Sequence, residues 1–184
     1  ALCDQRQGRA SADIACELEL LMNQVGVTVE DRPVVAAALR RQEETGAPAA
    51  SLQLPDGQLI TGKTSNLLGA SAALLLNALK ALGGIEHGMH VISPIVIEPI
   101  QRMKINYLGN HNPRLHTDEI LIALSISAAT NPTAERVLSQ IPKLRGCEAH
   151  STVILSQVDD NTFRKLGINL TCEPSYQTKK LYHK

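Results

Sequence analysis

One helix candidate constrains the fold of this chain more than any other feature. Residues 57–82 read GQLITGKTSNLLGASAALLLNALKAL, and leucines in the second half of this stretch point in nearly every direction around a helix. Such a helix has to be covered by other elements on most of its surface. At 184 residues and 43% hydrophobic content, the chain can bury it without a disulfide or a structural metal. We therefore expect this helix to form the centre of the core.

The beginning of the same stretch matches the phosphate-loop pattern G-x-x-x-x-G-K-[ST] through Gly57, Gly62, Lys63 and Thr64. A phosphate loop follows a strand and leads directly into a helix. Here residues 58–61 instead indicate the second arm of a hairpin after the turn Pro55-Asp56-Gly57. We therefore favour a hairpin that leads into the buried helix.

Two interpretations of residues 62–65 are open. Gly62, Lys63, Thr64 and Ser65 can present the N–H groups of a helix start to an anion, with the lysine as a counter-charge. Alternatively, Thr64 or Ser65 only caps the helix and Lys63 is solvated.

The pattern before this stretch predicts two helices, over 11–25 and from Asp31 to Gly46, joined as a helical hairpin. The small residues at 46–50 show no periodicity and indicate a boundary. We predict a helical subdomain over 1–50, the end of a neighbouring domain, and a second domain over 51–184.

The second domain alternates strands and helices. After hairpin arms at 51–54 and 58–61 and the long helix, we expect a strand at 90–93 and a helix with Pro99 in its first turn. Helices capped by Thr117 or His116 and by Asn131 follow, then a strand at 151–156, a short helix from Asp159 or Asp160 and a strand at 168–172. This order predicts an α/β fold, a three-layer αβα domain with a mixed sheet. The basic tail at 179–184 is expected at the surface.

Composition excludes several classes of function. The 18 basic and 18 acidic residues balance, aromatic residues make up 2% and Trp is absent, so we expect no nucleic-acid partner. No apolar run is long and unbroken enough to predict a membrane span. The four cysteines form no C-x-x-C pair, which indicates reduced thiols and a cytoplasmic location. The start at Ala1-Leu2-Cys3, without an initiator Met, indicates a fragment of a longer product.

The segment 110–119, NHNPRLHTDE, is dense in groups that ionise or form hydrogen bonds. His111 and His116 can act in acid-base steps, Arg114 can bind a carboxylate or phosphate through its fork of donors, and Asp118 is a further candidate for ligand binding. The alternative assigns Asp118 and Glu119 to the helix dipole and His116 to the cap.

A third polar cluster, KLRGCEAHST at 143–152, includes Arg145, Cys147, Glu148 and His150. Strand alternation places Glu148 and His150 on one face and Cys147 on the other, which favours an acid-base pair over a Cys-His nucleophile. The segment lacks a metal-ligand pattern such as H-E-x-x-H, so we predict no metal site. A lone cysteine beside a strand is most often simply buried.

Several runs resemble the C-terminal part of the bacterial uncharacterised protein family 0371, the domain of unknown function 1846 family. They are TGKTSNLLGASAALLLNALK, NPRLHTDEILIALSISAATNP, IPKLRGCEAHSTVILS and FRKLGINLTCEP closing on KKLYHK. The resemblance covers about residues 54–184. It implies a longer parent protein, whose N-terminal remainder is then a partner, and a cytidine-deaminase-like topology without the zinc ligands of deaminases.

The sequence thus predicts a C-terminal domain that binds a phosphate-bearing or nucleotide ligand in a larger enzyme. The expected cleft is lined by Lys63, Arg114, His116, Arg145 and His150. No cofactor is assigned. The alternative is a structural or oligomerisation module, for example in a homo-oligomer, in which the polar clusters are caps and contacts.

Overall fold

The computed structural model describes residues 1–177, and the predicted surface tail at 179–184 lies outside them. The α-helices in the described part are α1 (Leu2–Arg6), α2 (Ala12–Val25), α3 (Pro33–Thr45), α4 (Ala70–Leu82), α5 (Pro94–Asn106), α6 (Thr117–Ala128), α7 (Pro132–Leu138) and α8 (Gln157–Leu166). The strands are β1 (Ala49–Gln53), β2 (Leu59–Lys63), β3 (Glu148–Ser151) and β4 (Asn169–Cys172). Short 3-10 helices occupy Val29–Asp31 and Ile141–Leu144.

The strands form one mixed sheet in the order β2-β1-β3-β4. β1 is antiparallel to both of its neighbours, and β3 runs parallel to β4, to which α8 connects it. The predicted α/β class and the hairpin at 51–61 are confirmed. The cytidine-deaminase-like topology stays a prediction.

α4 lies at the centre of the core, as expected. Its residues Leu74, Leu75 and Leu79 have no exposed surface. The helix packs against β1 and β2 and also contacts α6 and α7, which explains why it is apolar on several sides. Gly62 of β2 faces α4 so closely that a Cβ at this position would lie 2.2 Å from the backbone nitrogen of Leu74.

α3 covers the opposite face of the sheet. Ser51 of β1 donates a hydrogen bond from Oγ to the carbonyl oxygen of Val34 in α3. The neighbouring Ala50 pairs with Gly62 and therefore faces α4, because successive strand residues point to opposite faces. The predicted division of the chain at residue 50 stays a prediction, and the packing of α3 on the sheet argues for a boundary nearer residue 30.

The long helix begins at Ala70, and the prediction that Thr64 or Ser65 caps it is wrong. Gly69 occupies the N-cap position. The hairpin register pairs Ala49 with Lys63, so β2 continues through Lys63 and residues 64–69 form a loop. Gly62 to Ser65 therefore do not lie at a helix N-terminus, and the reason for expecting an anion at this place is removed.

Three other boundaries differ from the predictions. Residues 90–93 form a loop and not a strand, and the following helix starts at Pro94 after the cap Ser93, which leaves Pro99 inside α5. The strand expected at 151–156 lies at 148–151. α8 starts at Gln157 and not at Asp159 or Asp160, because the Ser156 side chain accepts a hydrogen bond from Asp159 N and caps the helix.

The contact between Gly62 and α4 generates a prediction about stability. Gly62→Ala places a methyl group against the backbone of Leu74 and Ala70, which cannot move without displacing α4. We expect a loss of about 3 kcal/mol in the free energy of unfolding, measured with urea. Gly88→Ala is the matched control, since nothing lies within 4 Å of a Cβ there, and it should change stability little. Equal effects of the two substitutions would contradict the packing role of Gly62.

Candidate functional site

The first turns of α6 and α8 meet at Asp159. Its Oδ1 accepts hydrogen bonds from the backbone nitrogen and the hydroxyl of Thr117, both at 2.9 Å. Its Oδ2 accepts a hydrogen bond from the Ser156 hydroxyl at 2.8 Å. This buried carboxylate therefore holds the N-terminus of α6 against the N-terminus of α8, the helix that follows β3 in the chain.

His116 lies at the N-cap of α6 and is held by the same carboxylate. Its Nδ1 is 3.1 Å from Asp159 Oδ2, and its side chain is 34% exposed against 8% for Asp159. The hydrogen bond to Asp159 raises the pKa of His116 despite partial burial. Burial raises the pKa of Asp159, but hydrogen bonds from His116, Thr117 and Ser156 together lower it below its ordinary value. The pair thus favours a histidine cation beside a carboxylate anion.

The geometry excludes Ser156 as a nucleophile activated by His116. Its Oγ is 3.5 Å from His116 Nδ1, the nitrogen already directed at Asp159. In a catalytic triad the nucleophile lies at the other ring nitrogen, Nε2. Within residues 1–177, His116 Nε2 forms no hydrogen bond, so this is the atom at which a ligand or reacting group can approach.

Arg114 and His116 flank Leu115 in the segment that leads into α6. Leu115 donates from its nitrogen to Leu67 O at 2.9 Å and accepts at its oxygen from Gly69 N at 3.3 Å, which fixes the segment against the loop between β2 and α4. Arg114 Nε donates to Ser65 O at 2.6 Å. The first two polar clusters of the sequence are therefore adjacent.

Lys104 of α5 holds the segment 114–116 in place through hydrogen bonds. The lysine is buried, and its Nζ donates to Arg114 O at 2.6 Å and to Glu119 Oε2 at 2.7 Å. Glu119 Oε2 also accepts a hydrogen bond from His116 N at 2.8 Å. The lysine charge is thus compensated within the protein, and its role is to position the backbone that carries Arg114 and His116.

The third polar cluster faces α3, on the sheet surface away from α4. Glu148 and His150 lie on one face, as predicted, and Cys147 is buried in the core. Arg32, which precedes α3, donates to Glu148 Oε2 and to Thr171 Oγ1. Glu148 and His150 therefore participate in a polar network that joins α3 to β3 and β4.

His150 is enclosed by this network. Its Nδ1 is 2.8 Å from Thr171 Oγ1 and its Nε2 is 3.1 Å from Glu173 Oε1. Burial lowers the pKa of His150, although Glu173 acts in the opposite direction. Both ring nitrogens have protein partners, which is the arrangement of a structural histidine. A catalytic role for Glu148 and His150 stays a prediction that nothing in this geometry favours.

Arg145 lies away from Arg114 and His116. It packs over Gly167, the C-cap of α8, whose Cβ would lie 3.1 Å from Arg145 Cγ. His116 is bound at Asp159 in the first turn of the same helix, and the eight residue steps from Asp159 to Gly167 correspond to roughly 12 Å along the axis. The structure does not bring Arg145 and His116 to one end of α8.

The remaining predicted ligand residues surround the Arg114 segment or lie beside it. Ser65 Oγ accepts from the nitrogens of Leu67 and Leu68 and shapes the loop under Arg114. His111 and Asp118 are exposed, and Lys63 is exposed at the end of the edge strand β2. The Thr64 hydroxyl is buried without a hydrogen-bond partner in the described part of the chain. Ligand binding by these residues stays a prediction.

Sequence reasoning missed the residues that organise the site. The sequence predicts Asp159 only as a possible start of α8 and gives Lys104 and Ser156 no role in a site. The spacing of Ser156 and Asp159, S-x-x-D, is a capping pattern and could have placed Asp159 at the third position of α8. Asp159 and His116 are 43 residues apart in the sequence, and no local sequence pattern predicts that they are in contact.

Nowhere in 1–177 do three His, Cys, Asp or Glu side chains gather in a way that could hold a metal ion. The cysteines at 3, 16, 147 and 172 are free thiols. None of the helices in this range combines the length and the apolar character of a bilayer-spanning helix.

Comparison with known proteins identifies relatives of the chain. The family model described as domain of unknown function DUF1846, C-terminal, matches residues 30–182. A UPF0371 protein of Corynebacterium glutamicum (strain R) is 53% identical over 184 residues, and one of Streptococcus pyogenes serotype M5 (strain Manfredo) is 50% identical over 183 residues. Both alignments cover 100% of this chain and 37% of the relative. The chain therefore spans little more than a third of the length of these relatives.

The role of Asp159 can be tested by Asp159→Asn. The substitution removes the charge that binds His116 and Thr117, so we expect a loss of about 2 kcal/mol in the free energy of unfolding and a lower pKa of His116 by NMR titration. Asp160→Asn is the control, because Asp160 only forms an i,i+4 ion pair with Arg164 at the surface. Its expected cost is below about 0.5 kcal/mol. An unchanged pKa of His116 in Asp159→Asn would refute the assignment.

Proposed function

We propose that this chain, which belongs to the family of the domain of unknown function DUF1846, C-terminal, binds a phosphate-bearing ligand as part of a longer protein. The observation that supports the proposal is the geometry of His116: its Nδ1 is held by Asp159, and its Nε2 is unbonded within residues 1–177. Arg114 is two residues away in the chain and has two terminal nitrogens beyond the Nε that binds Ser65 O. The two side chains provide two cationic groups for one anion.

The chemistry of these groups suits a phosphate or phosphate ester. A guanidinium offers parallel donors that match two phosphate oxygens. A histidine oriented by a carboxylate can donate or accept a proton at its free nitrogen near neutral pH. Asp159 keeps the ring in one orientation and favours its cationic form. In a larger enzyme His116 would therefore serve as the proton-transferring group and Arg114 as the anchor.

The position of the site within the fold also supports the proposal. Ser156 and Asp159 follow β3, and β3 and β4 are parallel strands connected by α8. In α/β proteins, ligands commonly bind beyond the carboxyl ends of such strands, where helices begin. The proposed ligand thus occupies the end of the βαβ unit at which α6 and α8 both start.

The alternative function is a structural or oligomerisation module without chemistry. One observation favours it: α2 has no buried residue, although it carries several large apolar side chains. This surface is far more easily explained by a protein contact than by a ligand site. It does not conflict with ligand binding at Arg114 and His116, since the two features involve different helices.

The proposed site predicts that Arg114→Ala weakens anion binding. We expect the dissociation constant of the full-length protein for inorganic pyrophosphate or ATP, measured by calorimetry, to rise about tenfold. Arg145→Ala removes the same charge at the other end of α8 and should change it less than about twofold. Equal effects of the two substitutions would indicate general electrostatic attraction, and no effect of Arg114→Ala would refute the site.

The raised pKa of His116 predicts a pH dependence. The cation binds an anion better than the neutral ring does, so affinity should be highest at low pH and fall as pH rises through the pKa of His116, which lies above the ordinary 6.5. In His116→Gln the affinity should be lower at pH 6, and the fall in affinity toward higher pH should be smaller than in the unsubstituted protein, where His116 adds its own titration to that of the phosphate ligand. If His150→Gln removed the pH dependence of binding and His116→Gln did not, the assignment of this pH dependence to His116 would be wrong.

A further inference from the structure

α2 carries an apolar seam that nothing in the described structure covers. Ile14, Leu18, Leu21 and Val25 are 46%, 45%, 56% and 71% exposed. Their spacing of four, three and four residues is that of the contact positions in a helix-helix seam. At about 100° per residue they fall within an arc of roughly 60° on the helix surface.

The seam lies beside the face of α2 that is turned toward the rest of the domain. A cavity of about 980 Å³ separates α2 from β4 and α8. The residues of α2 that line it, such as Ala12, Cys16, Glu19 and Asn23, lie on a different side of the helix from the seam, and only Leu18 belongs to both. Closing this cavity would therefore leave Ile14, Leu21 and Val25 exposed, and their partner has to come from elsewhere.

We propose that the seam, Ile14, Leu18, Leu21 and Val25, docks onto the part of the longer protein that precedes this chain. The C-terminal family model begins at residue 30, directly after α2 and its following loop, and the chain covers 37% of its relatives. α1 and α2 thus lie before the matched C-terminal domain, on the side from which a preceding part of a longer protein would connect to it. A tethered partner acts at an effective concentration that free copies rarely reach.

The charge of α2 argues against a second copy as the occupant. The helix contains Asp13, Glu17 and Glu19 and no Lys or Arg. Glu17 lies at the edge of the seam, and two α2 helices packed through it would bring this carboxylate against a helix that has no Lys or Arg to pair with it. Charges beside a helix seam determine partner choice. The partner surface should therefore be apolar at its centre and carry Lys or Arg at its edge. The docking of α2 is independent of the anion site at Arg114, so either proposal can fail without the other.

Hydrogen exchange of the full-length protein, followed by mass spectrometry, tests this interface. In the unsubstituted protein we expect the amides of α2 to exchange slowly, and in Leu21→Glu about ten- to a hundredfold faster. Leu20→Glu is the matched control: it places the same side chain at a 62% exposed position outside the seam and should leave exchange nearly unchanged. The amides of β3 report whether each variant keeps its fold.

Three outcomes would overturn the proposal. The first is exchange of α2 in the unsubstituted full-length protein as fast as in an unpacked helix. The second is equal acceleration by Leu20→Glu and Leu21→Glu. The third is protection that disappears on dilution together with a dimer in sedimentation, which would assign the seam to a second copy. Should Leu21→Glu disturb the amides of β3, Leu21→Ala gives a milder test of the same contact.

Discussion

The approach of α4 to β2 determines where most other elements can lie. Gly62 allows the backbone of Leu74 to come within a distance that excludes any side chain. α4 therefore lies directly on the hairpin, and α6 and α7 pack on its outer side. The segment 114–116 reaches the site because Leu115 bonds to Leu67 and Gly69, in the loop between β2 and α4. The position of Arg114 and His116 thus depends on the packing of α4 against Gly62.

This packing also explains the apparent phosphate-loop pattern. The second glycine of the pattern, Gly62, is required by a helix that passes over a strand, and Lys63 is the exposed end of that strand. Neither residue lies in a loop before a helix, which a phosphate loop needs for its N–H groups to converge. In this chain the glycine at position 62 is therefore required by the close packing of α4 on β2 and not by a phosphate. A motif identifies a site only when its residues occupy the backbone conformation that gives the motif its chemistry.

The sequence predicts elements that depend on a local pattern of residues. It does not predict features that depend on a contact between residues far apart in the chain. The buried helix, the hairpin at Gly57 and the caps at Gly26 and Asn131 depend on neighbouring residues, and all are present. In the site, Arg114 and His116 were identified from the density of polar groups in their loop. The partner of His116 could not be identified, because Asp159 is 43 residues away and contributes only a cap to its own segment.

The two histidines expected to line the cleft, His116 and His150, differ in how their ring nitrogens are used. His150 has Thr171 on one side and Glu173 on the other, and burial lowers its pKa. His116 has a carboxylate at Nδ1 and solvent access at a third of its side chain, and the hydrogen bond to Asp159 raises its pKa. A ring with both nitrogens occupied cannot accept a ligand without losing an internal bond. A ring with one nitrogen fixed and the other free loses nothing, which is why the proposal assigns proton transfer to His116 and not to His150.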